Sequence, residues 1–102
     1  MDMNDDRPIL AFFTTNTSGP ARRMESLLAQ LAHRERERLR VLRVDVDERP
    51  DLARRFSISV IPTLVLAKDR RVVRRLEGRA TAPKIERMLA EHLELHADAY
   101  AA

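Results

Sequence analysis

The sequence has 102 residues, a length that suits one domain with a single hydrophobic core. It is 44% hydrophobic and 34% charged, as in ordinary globular proteins, and no apolar run approaches the roughly 20 residues of a membrane-spanning helix. The net charge of +3 comes from arginines interspersed with acidic residues, which is typical of a solvated surface. The chain contains no cysteine, so its own residues cannot carry out thiol–disulfide exchange.

The first half of the chain predicts a strand, a helix and a second strand. Ile9–Phe13 is a short, unbroken apolar run, typical of a strand that is buried on both faces. Turn residues follow at 16–20, where Ser18 is placed to cap a helix and Pro20 suits its first turn. The helix is predicted from one apolar stripe, formed by Met24, Leu27, Leu28 and Leu31. Residues 39–46 then return to strand character.

The second half predicts a short helix, a hairpin and a closing helix. Pro50 opens the short helix, and residues 63–77 form a hairpin that turns at Asp69-Arg70. Gly78 ends the hairpin, and Thr81 opens the last helix. The resulting order is β-α-β-α-β-β-α, which predicts an α/β fold with a mixed four-stranded sheet and helices on both faces.

We predict one domain over residues 8–95, with a flexible leader at 1–7 and a frayed tail at 96–102. The leader is acidic and polar, and it lacks the basic start and apolar stretch of a secretory signal. A cytoplasmic location is therefore predicted, and the absence of cysteine fits that compartment.

Several segments resemble the thioredoxin family. Thr17-Ser18-Gly19-Pro20-Ala21-Arg22 resembles the family's Trp-Cys-Gly-Pro-Cys-Lys motif. Val44-Asp45-Val46-Asp47 followed by Pro50 resembles the family's third strand and the turn after it. Ile61-Pro62-Thr63 resembles the loop whose proline is cis, and Gly78 falls where the family has a glycine after its last strand. This resemblance implies a thioredoxin-like fold.

The departures from the family concern its chemistry. Ser18 and Ala21 stand at the two cysteine positions, Phe12 stands where the family buries an aspartate, and Thr17 replaces the tryptophan. Only about seven residues precede Pro8, so the fold is predicted to lack the N-terminal strand and helix of full thioredoxins. The motif is therefore degenerate, and we predict no catalytic residue in it and no cofactor.

The resemblance implies that the chain binds a protein or peptide without redox chemistry. In the family, the backbone beside the cis proline pairs with an extended peptide. The corresponding groove would be formed by Thr17, Ser18, Ile61, Pro62 and Thr63. Two alternatives stay open: Pro62 only ends its loop and positions Thr63, or the chain descends from a thioredoxin-type disulfide oxidoreductase whose cysteines were lost or replaced.

Three other kinds of site, for an anion, a nucleic acid or a metal ion, are suggested by particular residues. Ser18 with Arg22 and Arg23 could hold an anion at a helix N-terminus, although capping and solvation explain the same residues. An arginine cluster at 70–79 could contact nucleic acid, but one tyrosine, three phenylalanines and no tryptophan offer little surface for base stacking. His92 has a histidine four residues later but no third ligand, so no metal site is predicted.

The predicted strand 39–46 carries a hypothesis of its own. In full thioredoxins the N-terminal strand covers its outer edge, and here that strand is predicted to be absent. An uncovered edge invites pairing with another chain, which predicts a homodimer through 39–46. Arg40 and Arg43 are the alternative, because charged side chains can keep an edge strand monomeric.

Overall fold

The structure is a computed structural model that describes residues 5–16 and 21–93. Its elements are β1 (Ile9–Thr14), α1 (Ala21–Arg34), β2 (Arg40–Asp45), α2 (Pro50–Arg55), β3 (Thr63–Lys68), β4 (Arg71–Glu77) and α3 (Ala82–His92). The predicted order β-α-β-α-β-β-α is confirmed. The predicted tail at 96–102 and the first four residues of the predicted leader lie outside the described residues.

The sheet has four strands in the order β2-β1-β3-β4, with β1 and β3 at its centre. β1 runs parallel to β2 and antiparallel to β3, and β3 and β4 form an antiparallel hairpin. The mixed sheet predicted from the sequence is thus confirmed. A parallel β1–β2 pair needs a crossover, which α1 provides.

The two faces of the sheet are covered by different helices because side chains alternate along each strand. Leu10 and Phe12 of β1 point to the face that carries α1 and α3. Ala11 and Phe13 point to the opposite face, which carries α2. The core on the first face contains the buried residues Leu10, Phe12, Met24, Leu28, Leu31, Leu39, Leu64, Leu66, Leu76, Ala80, Ile85, Met88 and Leu89.

The helices begin and end largely where the sequence indicates. Thr81 caps α3, since its Oγ1 accepts a hydrogen bond of 3.4 Å from the Lys84 N–H, and a proline lies in the first turn. No helix of the described ranges is long and apolar enough to cross a membrane.

Three turn residues other than glycine have left-handed backbone conformations that the sequence did not reveal. Ser57 (φ 54°) follows α2. The end of this helix is closed by two hydrogen bonds, from the Ser57 N–H to the carbonyl oxygen of Arg54 and from the Ile58 N–H to that of Ala53. Asp69 (φ 53°) and Arg70 (φ 66°) form the two-residue hairpin turn. Gly78 (φ 83°) has a positive φ as well, and there the residue is the glycine that such a conformation favours.

Candidate functional site

Of the residues expected to form the binding groove, Ile61, Pro62 and Thr63 lie at the end of the sheet where β1 ends and β3 begins. Phe13 is paired with Thr63, so Pro62 lies beside Thr14, the last residue of β1. α1 begins at Ala21 after the connection that leaves β1. The 61–63 segment and the start of the first helix are therefore placed at the same end of the sheet.

Only part of the predicted site lies within the described residues. Thr17, Ser18, Gly19 and Pro20 lie outside them, and for Ala21 only its place at the start of α1 is described. Ile61, Pro62 and Thr63 are described in full. Arg22 and Arg23, the residues of the anion hypothesis, are exposed on the first turn of α1.

The loop before β3 is held by hydrogen bonds within itself and to the end of β4. The peptide bond between Ile61 and Pro62 is cis. The Thr63 hydroxyl donates to the carbonyl oxygen of Val60 at 2.6 Å, and the Gly78 N–H donates to the carbonyl oxygen of Pro62 at 2.7 Å. Thr63 is fully buried, so its side chain fixes the loop from inside.

Two groups of this loop remain open towards solvent. Val60 is 39% exposed, one of two large apolar residues with this much exposure among the described residues. Ile61 is half-buried, and no hydrogen bond found within residues 5–16 and 21–93 uses its backbone N–H or carbonyl. Since buried or half-buried backbone groups normally find partners, Ile61 is a candidate point of contact for another chain.

Phe12 and Phe13, which precede the buried Thr14 at the end of β1, are apolar. Phe12, at the position of the family's buried aspartate, is 2% exposed and packs in the core between the sheet, α1 and α3. On the other face, the rings of Phe13 and Phe56 lie 5.7 Å apart. The buried part of β1 therefore offers no carboxylate at Phe12 for moving a proton to or from a ligand.

The acidic residues that follow β2 serve the local turn. One oxygen of Asp45, Oδ1, accepts hydrogen bonds from the N–H groups of Asp47 at 2.8 Å and Glu48 at 3.3 Å. Asp51 is paired with Arg49, whose guanidinium lowers the pKa of the Asp51 carboxyl. Across the described ranges, no three His, Asp or Glu side chains are grouped as a metal ion would require.

The arginines of 70–79 are spread over different surroundings. Arg75 is directed to α2, where it donates to backbone carbonyls, and it also lies 3.5 Å from a carboxylate oxygen of Glu77. Arg70 lies in the hairpin turn at the opposite end of the sheet from Pro62. The sequence predicts one arginine cluster here, whereas in the structure Arg75 donates to the backbone that follows α2.

Comparisons with known proteins agree with this fold. The family model described as Thioredoxin matches residues 2–91. The chain is 35% identical over 89 residues to a thioredoxin of Alicyclobacillus acidocaldarius (87% of this chain and 85% of the relative), and 32% identical over 83 residues to a thioredoxin-like protein of Synechocystis (81% and 79%). The crystal structure of the thioredoxin Deadhead from Drosophila melanogaster superposes with a TM-score of 0.80 at 31% identity, over 86% of this chain and 83% of that one. The chain, which lacks both cysteines of the motif, belongs to the thioredoxin family.

Proposed function

We propose that this thioredoxin-family chain binds another protein or peptide through the loop at Ile61 and Pro62, without disulfide chemistry. The observation that carries the proposal is the backbone of Ile61, which has no hydrogen-bond partner within the described residues. It precedes β3 at the end of the sheet where β1 stops, so an extended segment of a partner can form backbone hydrogen bonds with it. Ser18 and Ala21 provide no thiol, so the contact is non-covalent.

The surroundings of Ile61 suggest the chemistry of the partner segment. Val60 offers an exposed apolar contact next to the unpaired backbone. Arg22 and Arg23 are exposed on the first turn of α1, so acidic residues in the partner would be favoured. A cytoplasmic location belongs to the same proposal.

A capture experiment with two matched variants tests this surface. Val60 and Val72 are both exposed valines, but Val72 lies on β4 near the hairpin turn, away from Pro62. The experiment immobilises four proteins: the wild type, Val60→Asp, Pro62→Ala and Val72→Asp. Each is incubated with a lysate of the native cell, and the captured partners are quantified by mass spectrometry. We expect Val60→Asp and Pro62→Ala to weaken the capture of a shared partner at least about tenfold, or about 1.4 kcal/mol, while Val72→Asp retains it. Equal capture by Val60→Asp and the wild type would contradict the proposed surface.

The rival interpretation, an oxidoreductase that lost its cysteines, has a separate test. Ser18→Cys combined with Ala21→Cys restores the two thiols of the motif. We expect the double variant to reduce insulin poorly with dithiothreitol as electron donor, because Phe12 leaves no buried acid beneath the thiols. Vigorous insulin reduction by this variant would favour the rival, and the wild type serves as the blank.

A further inference from the structure

The described part of the sheet has two edges, and they differ in how they are protected. The β4 edge carries the exposed residues Arg71 and Arg74 and has a bulge opposite Leu66 and Ala67. Bulges and repeated like charges both discourage pairing with another strand. The β2 edge is regular over six residues, from Arg40 to Asp45, and pairs only with β1 within the described ranges.

The hydrogen bonds of β2 show which of its backbone groups face outward. The N–H of Arg40 donates to Pro8 and that of Val46 to Thr14, each at 2.9 Å. In a parallel ladder the residues that pair with the neighbour alternate, so the even-numbered residues of β2 face β1. Val41 and Arg43 therefore direct their N–H and carbonyl groups away from the sheet.

Of the two arginines that could protect this edge, Arg43 is paired within the chain, whereas Arg40 shares a carboxylate with Arg7. The Nε of Arg43 lies 2.7 Å from an oxygen of Glu25, and its Nη2 donates to Asn16 at 2.9 Å. Arg40 lies 3.9 Å from Asp5. With its charge balanced by Glu25, Arg43 repels an approaching strand less than Arg71 and Arg74 of β4, for which no ion pair is found among the described residues.

Charge along β2 is divided between its two ends. At or before its start, three arginines (Arg36, Arg38 and Arg40) outnumber Glu37, and at or after its end three acidic residues (Asp45, Asp47 and Glu48) outnumber Arg49. An antiparallel arrangement of two such strands sets the basic end of each beside the acidic end of the other. This complementarity favours a second copy of the same chain over a strand of uniform charge.

We propose that two copies of this chain pair their β2 strands in an antiparallel arrangement, with a two-fold axis at Leu42. This pairing joins the two four-stranded sheets into one sheet of eight strands. With the axis at Leu42, Val41 of each copy is opposite Arg43 of the other, so their four outward N–H groups meet four outward carbonyls. The two Leu42 side chains face each other as an apolar pair on the face that carries α2.

The opposite face has room for this arrangement. A groove of about 250 Å³ runs along α1 beside the β2 edge, lined by Phe12, Glu25, Leu28, Ala29, Ala32, Val41 and Arg43. Two of the residues of α1 that line the groove, Ala29 and Ala32, have small side chains. Val41 of the second copy and the aliphatic part of its Arg43 can therefore cover the groove. The Ile61 loop precedes β3, which is separated from β2 by β1, so both copies keep their proposed binding surfaces open.

A single introduced cysteine tests the register, because the chain has no thiol of its own. Residues directly opposite in a pair without mutual hydrogen bonds have Cα atoms about 4.5 Å apart, within the range that a disulfide bridges. We expect Leu42→Cys to give a disulfide-linked dimer on mild oxidation, while the matched Val72→Cys on the β4 edge stays largely monomeric. A Leu42→Cys protein that links no more than Val72→Cys would overturn the register.

Sedimentation velocity of the unmodified protein at micromolar concentration tests the association itself. We expect a dimer whose fraction rises with concentration, and a monomer when Leu42→Asp places two carboxylates opposite each other. Val72→Asp should leave the dimer unchanged, and circular dichroism confirms that each variant is folded. A wild type that stays monomeric over the whole concentration range overturns the proposal, as does a dimer that Leu42→Asp leaves intact.

Discussion

The guanidinium of Arg75 donates a hydrogen bond of 2.8 Å from Nη1 to the carbonyl oxygen of Phe56. Its Nη2 donates to the carbonyl oxygen of Ser57 at 3.1 Å. Both carbonyls belong to the end of α2, where the helix leaves acceptors unsatisfied and carries partial negative charge. Arg75 lies on β4, so this one side chain ties a short helix to the outer strand of the sheet.

Removing that tie should destabilise the protein. We expect Arg75→Ala to lower the free energy of unfolding by about 1–3 kcal/mol, because two carbonyls lose a charged donor. Arg74→Ala is the matched control, since Arg74 is exposed on the same strand with no hydrogen bond in the described part of the chain, and it should change stability by less than about 0.5 kcal/mol. Urea denaturation measures both, and equal losses would contradict the proposed role of Arg75.

Much of the fold could be predicted because its signals are local. The apolar run at Ile9–Phe13 indicated a strand covered on both faces, and the structure shows Leu10 and Phe12 on one face and Phe13 on the other. The apolar stripe of α3 is buried as the periodicity indicated. In both cases the residues that specify the element are neighbours in the chain.

The features that escaped prediction depend on residues far apart in the sequence. Arg75 and Phe56 are separated by 19 positions, and no pattern marks one as the donor for the other. Ser57 and Arg70 adopt left-handed conformations without being glycine or asparagine, the residues that usually signal them. At the site, Ile61 and Pro62 were identified through the family resemblance, but the buried Thr63 hydroxyl and the unpaired Ile61 backbone require the three-dimensional arrangement.

The hairpin turn offers a stabilising substitution. Asp69 and Arg70 both have positive φ angles, as in a type I′ turn, whose second position favours glycine. We expect Arg70→Gly to raise the free energy of unfolding by about 0.5 kcal/mol, because relief of the left-handed conformation exceeds the entropy that glycine adds to the unfolded chain. Arg71→Gly, in the first position of β4, should instead destabilise. Thermal unfolding distinguishes the two, and a destabilised Arg70→Gly would contradict the strain argument.

Phe12 shows how far this scaffold has departed from its relatives' chemistry. It is 2% exposed in the core between the sheet and α1, so an aspartate there would place a carboxylate among apolar side chains. We expect Phe12→Asp to lose more than the roughly 3–5 kcal/mol typical of truncating a buried phenylalanine. Phe12→Leu is the size control and should cost about 1–2 kcal/mol. If Phe12→Asp unfolds at the same denaturant concentration as Phe12→Leu, the site accommodates the acid and this expectation is wrong.

The ion pair of Asp5 and Arg7 makes a prediction about pH. Hydrogen bonds from the Arg7 guanidinium, at 2.8 and 2.9 Å, lower the pKa of the Asp5 carboxyl from 3.8 to about 2. Because the folded pKa lies below the unfolded one, the pair stabilises the folded chain above pH 3.8 and loses this effect as the pH falls towards 2. In an NMR titration, Arg7→Ala should raise the Asp5 midpoint part of the way towards 3.8, because the backbone N–H of residue 7 still donates to the carboxylate at 3.2 Å. Arg40→Ala removes a weaker charge at 3.9 Å and should raise the midpoint much less. A wild-type midpoint near 3.8 would show that the ion pair does not form in solution.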